Sequence, residues 1–188
     1  TVSETLANRQ ANCLSLSILT YSIAKEVGID AVFQDVKIPE YWSSDTNQTW
    51  LNGHINVKLL QNRQLNHSTG LVLLGRDIVV DFDRNSITQH FATKTIKPKR
   101  VVAMFYNNKA AEAMVYAQYD RAYAYLKAAL SFHPASTEAW NNLAVLYRQK
   151  QQYQLAEQAY LWADQLSPDQ LNAKANLALL YEITGQFE

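Results

Sequence analysis

The sequence predicts two architectures in one chain: an α+β domain, with one helix laid on an antiparallel sheet, followed by an all-α helical-repeat solenoid. Two observations carry this. Residues 1–104 hold one helix-periodic stretch and then short β-branched runs bounded by turn residues. From residue 105 to 188 the same residue types return every 34 positions, as at Asn108, Asn142 and Asn176.

Ala11 to Val27 reads as a helix, with Leu16, Leu19, Ile23 and Val27 spaced for one buried face and Gly28 placed to end it. Strand-like runs follow at 31–38, 53–60, 71–82 (a hairpin turning at Gly75-Arg76-Asp77) and 100–105. Between the first two lies "PEYWSSDTNQTWLN", which shows no period and reads as a polar, aromatic loop rimming a cleft. A helix followed by antiparallel strands implies a two-layer arrangement.

Beyond that domain, Ala122, Leu126, Ala129 and Pro134 fall opposite Ala156, Tyr160, Ala163 and Pro168. Asn142, Leu143, Ala144 and Tyr147 fall opposite Asn176, Leu177, Ala178 and Tyr181, with Gly185 at the next turn. Alanines let paired helices approach closely, aromatics fill the gaps, and a proline closes each repeat because it cannot continue a helix. The set Trp140, Leu143, Ala144, Tyr147, Ala156, Tyr160, Ala163 and Pro168 resembles the tetratricopeptide repeat. A first hairpin at about 103–136 departs from it, with Tyr106, Lys109 and Ala113 at the Trp, Leu and Tyr positions. The third stops at Glu188 before a second helix, so about two and a half repeats are visible and further repeats are expected.

Composition narrows the functional classes. Seventeen basic residues balance seventeen acidic ones and no basic stripe exists, which removes the electrostatic case for nucleic acid. No apolar run approaches the roughly 18–20 residues needed to cross a bilayer. The chain begins at Thr1, so an upstream segment is expected to have been removed. Only 18% of residues are charged, and Gln, Asn, Ser and Tyr are plentiful, a composition that leans toward a periplasmic or exported protein. A single cysteine makes no internal disulfide and no zinc cluster.

That cysteine, Cys13, falls in the first turn of the predicted helix, where unpaired backbone N–H groups favour a thiolate. His54 opens one predicted strand and Asp81 lies near the end of another. Thiol, imidazole and carboxylate on three elements suit a nucleophile, its base and the group that orients the base. Asp83 shares a strand face with Asp81 and is the alternative acid; Asp81 sits deeper in the apolar run. The backbone N–H of Cys13 is a natural oxyanion donor, with Gln10, Asn12 or the Trp50 indole as the second. Trp42 and Trp50 read either as core aromatics or as the lining of a substrate groove, and Gly53 gives substrate close access to His54.

"NCLSLSILTYSIAKEVGIDAVF", "GHINVKL" and "DIVVDFD" together resemble the nucleophile helix, His strand and Asp strand of the transglutaminase-like superfamily, in that order over residues 8–84. The resemblance extends to bacterial transglutaminase-like cysteine peptidases. It implies a papain/transglutaminase-like fold over residues 1–104 and acyl transfer or hydrolysis at a protein or peptide amide. Cys13 would be the nucleophile, His54 the base and acid, and Asp81 the orienting acid, with no metal or organic cofactor. The competing expectation is a non-catalytic interaction scaffold carrying a degenerate domain of that type. In the repeats, Asn107, Asn108, Asn141, Asn142 and Asn176 would either line a peptide-binding groove or bond one helix to the next. A protein or peptide partner is expected; the oligomeric state is open.

Overall fold

A computed structural model describes residues 12–37, 54–61, 76–83 and 91–185, and the backbone of 42–45 and 48–51. It divides into two compact units, residues 1–101 and 102–188.

In the first unit, α1 (Cys13–Glu26) starts at Asn12, whose side-chain oxygen accepts from the Ser15 N–H at 2.9 Å, the usual device for satisfying an orphan donor. It ends in a Schellman turn: Gly28 takes φ +75°, its N–H reaches the Lys25 carbonyl, and the Ile29 N–H reaches that of Ala24 at 2.8 Å. Gly28 thus ends the helix as its spacing predicts. The buried face does not follow prediction. Leu14, Ser17 and Ala24 are buried, whereas Ile23 is 52% and Val27 63% exposed. Two stripes of this helix fit a 3.6-residue period, and the one with small side chains lets the helix sit close to the sheet. The Ser17 hydroxyl donates to the Ile55 carbonyl at 3.4 Å, and the Tyr21 ring stacks on Phe33 at 4.3 Å.

Strands β1 (Ala31–Val36), β4 (His54–Leu59), β5 (Ile78–Val80) and β6 (Thr93–Ile96) form an antiparallel sheet in the order β5-β4-β1-β6. A separate ribbon pairs β2 (Trp42–Asp45) with β3 (Gln48–Leu51). Within the stretch predicted as a loop, residues 42–45 and 48–51 therefore pair as strands, since aromatic and threonine residues suit a pleated ribbon even without apolar alternation. Strand β4 is central and has no solvent face at its start, where His54, Ile55, Asn56 and Val57 are all buried. Of the predicted hairpin at 71–82, residues 71–75 lie outside the described set, and 78–80 form the edge strand.

The predicted strand at 100–105 is helical. It belongs to α2 (Pro98–Val115), where Pro98 sets the first-turn φ and the missing N–H costs nothing. Its apolar residues continue at helical spacing through Ala103, Ala110 and Met114, which are buried together. Strand β6 was not predicted, because Thr-Lys-Thr-Ile is short and exposed at three of four positions.

In the second unit, α3 (Tyr119–Phe132), α4 (Thr137–Gln149), α5 (Tyr153–Leu166) and α6 (Leu171–Thr184) continue from α2 as antiparallel hairpins. Ala122, Leu126, Ala129, Ala144, Ala156 and Tyr160 are completely buried, as the repeat pattern demands. Helices α2, α4 and α6 end at equivalent positions in the left-handed region: Ala117 at φ 53°, Gln151 at φ 59° and Gly185 at φ 71°. The first two repeat the Schellman turn of α1, with Gln118 N–H on Ala113 O and Gln152 N–H on Tyr147 O, both at 2.8 Å.

Candidate active site and repeat surface

The register of β4 against β5 positions the candidate acid. Val57 pairs with Val80 and Lys58 with Val79, so the next step outward sets Asn56 across from Asp81. An ion pair from Lys58 Nζ to Asp77 at 2.7 Å and the Gln61 N–H on Asp77 at 3.3 Å hold that register from the other end. A slip of one residue would turn Asp81 to the opposite face.

His54, 3% exposed, donates through Nε2 to Asp81 Oδ1 at 2.7 Å. Its neighbour on α1 is Cys13, the half-buried first residue of that helix. A hydrogen bond between the Cys13 side chain and the imidazole is the largest influence on His54 and raises its pKa above 6.5. Burial opposes this, and the negative charge of Asp81 reinforces it. The structure thus brings Cys13, His54 and Asp81 into one chain of contacts, a thiol against an imidazole backed by a carboxylate.

Asp83, the alternative acid, lies beside Asp81. Its backbone N–H donates to Asp81 Oδ1 at 2.9 Å, so in this contact it supports Asp81 rather than replacing it. Asn12 spends its side-chain oxygen on capping α1. Gln10, Gly53 and the side chains of Trp42 and Trp50 lie outside the described residues. One residue escaped sequence reasoning: Asn56, 4% exposed, donates through Nδ2 to Asp81 Oδ2 at 3.1 Å. The available signal was a polar side chain two residues past His54, on the same strand face.

In the repeats, the asparagines bond helix to helix. Asn142 Nδ2 donates to Asn107 at 2.9 Å and Asn176 Nδ2 to Asn141 at 3.1 Å, joining the first helices of successive hairpins. Asn108 is exposed. Among the described residues, no helix is long and apolar enough to cross a membrane.

No curated protein sequence matches the chain. Residues 125–158, from the middle of α3 to the start of α5, match the Tetratricopeptide repeat family, and the other helices of the second unit are consistent with that repeat.

Proposed function

We propose that the first unit is a transglutaminase-like thiol enzyme of papain/transglutaminase-like fold, with the repeats docking its protein substrate or partner. The observation that supports this is the buried imidazole of His54, bonded to the Asp81 carboxylate at 2.7 Å and raised in pKa by the neighbouring side chain of Cys13, the chain's only cysteine.

The Cys13 proton passes to His54 Nδ1, and the thiolate attacks the carbonyl carbon of an amide or ester. The C–S bond forms as the carbonyl electrons move to oxygen. Collapse of the tetrahedral adduct expels the amine or alcohol, which takes its proton from the His54 imidazolium. Asp81 keeps Nε2 protonated and Nδ1 directed at sulfur throughout. The thioester is then resolved by water, as in a peptidase or amidase, or by an amine, as in a transglutaminase. Peptide docking on the repeats would raise the local concentration of substrate near the thiol.

Alkylation by iodoacetamide at pH 6 tests the base. An ordinary thiol, with pKa near 8.5, is less than about 1% thiolate at that pH. Cys13 should therefore react at least about tenfold faster in the wild type than in His54→Ala. Equal rates would favour the non-catalytic scaffold.

A further inference from the structure

Asn56 occupies a costly position. It is buried to 4% exposure on the central strand, its Nδ2 donates to Asp81, and its Oδ1 is buried with no hydrogen-bond partner among the described residues. An unpaired buried acceptor is destabilising, and leucine would fill nearly the same volume without one. The direction of the amide is fixed by chemistry: an ionised carboxylate only accepts, so Nδ2 and not Oδ1 must face Asp81 Oδ2.

Asp81 consequently has both oxygens engaged. Oδ1 receives His54 Nε2 and the Asp83 N–H, and Oδ2 receives Asn56. The Asp83 bond is local in sequence and cannot by itself hold the carboxylate over β4. The bond from Asn56 ties it to the same strand that carries His54, two residues away on the same face.

We infer that Asn56 is a positioning residue of the proposed enzyme, holding the Asp81 carboxylate in the plane and orientation that His54 Nε2 requires. This rests on the acyl-transfer reading above and deepens it. A merely structural asparagine would be replaceable by leucine without chemical consequence, and the unpaired Oδ1 argues that stability alone did not select it.

The test compares pH profiles of iodoacetamide alkylation for wild type, Asn56→Leu and Asn56→Ala, alongside their melting temperatures. Among the described residues, the titratable groups facing His54 are Cys13 from α1 and Asp81 from the segment after β5, with Asp83 beside the latter. Both variants lose the donor, and Asn56→Ala adds no atom that the buried site must accommodate, so it carries the comparison if leucine does not fold. The expected result is a roughly tenfold fall in rate between pH 5.5 and 7, the lower end of the range for lost outer-shell partners, with the rate above pH 9 unchanged. A wild-type profile with an acidic shoulder that both variants share overturns the role of Asn56 and leaves the base intact. A wild-type profile with a single step at the ordinary thiol value overturns the acyl-transfer reading and this inference with it.

Discussion

Replacing Asp81 with asparagine separates the charge of the acid from its shape. The carboxylate accepts from His54 Nε2, the Asp83 N–H and Asn56 Nδ2. An asparagine offers one acceptor oxygen and one NH₂ group, so Oδ1 can keep His54 and Asp83 while the new NH₂ meets Asn56. That would be a donor–donor clash, but Asn56 can rotate its amide and present the Oδ1 that lacks a partner. Asp81→Asn is therefore expected to fold with the imidazole orientation retained and only the charge lost.

A hydrogen bond to a charged group is worth about 1.5–3 kcal/mol and a neutral one about 1, so the imidazolium loses roughly 0.5–2 kcal/mol of stabilisation and the pKa of His54 falls. The equilibrium between the thiolate–imidazolium and thiol–imidazole pairs moves about tenfold toward the neutral pair, and alkylation at pH 6–7 should slow by that factor. Stability responds with a definite sign. Because the pKa of His54 is raised, the stability it contributes is fully present below its ordinary value of 6.5 and is lost as pH rises through the folded value. Urea titrations at pH 5.5 and pH 8.5 should show a larger deficit for Asp81→Asn at the acidic pH. A deficit that is equal at both, together with unchanged alkylation, would refute the electrostatic role given to Asp81.

Two further predictions concern the repeats. Gln151 sits at φ 59° where the next repeat has Gly185 at φ 71°; the left-handed region costs a side-chain-bearing residue about 1–2 kcal/mol, and glycine loses about 0.5–1 in chain entropy. Gln151→Gly should thus gain about 0.5–1 kcal/mol, read as a melting temperature a few degrees higher by circular dichroism, with Gln151→Ala showing no such gain. Tyr160 is completely buried, its hydroxyl has no partner among the described residues, and burial pushes its pKa up to about 12, with the charge of Arg148 pulling the other way. Tyr160→Phe should be neutral or stabilising by about 1 kcal/mol. It should also remove a loss of up to roughly 3 kcal/mol that the wild type suffers in denaturant titrations between pH 10 and pH 12.

What the sequence conveyed depended on how local the cause was. The repeats were readable because their packing is local and recurs: Ala122, Ala156 and Tyr160 stand where close helix approach needs them. Cys13, His54 and Asp81 stood out by chemical type and order along the chain. Asn56 did not, because its role depends on the pairing of β4 with β5, between residues 25 apart in sequence. The face of α1 was misread for a related reason. Only the sheet decides that Ser17, rather than Leu16 or Ile23, lies beneath the strand carbonyl of Ile55. At 100–105, β-branched composition suggested a strand, while Pro98 and the alanines further on made a helix. The strained turns at Ala117 and Gln151 were hidden because neither residue is glycine; only their equivalence to Gly185 exposes them.

The central claim is that Cys13 forms an acyl-enzyme with His54 as its base. Intact-mass spectrometry after brief incubation with a p-nitrophenyl ester at pH 6.5 addresses this directly. One acyl group on Cys13 is predicted in the wild type, none in Cys13→Ala, and acylation at least about tenfold slower in His54→Ala. Acylation of Cys13 at equal rates with and without His54, or adducts on lysines alone, would contradict the account.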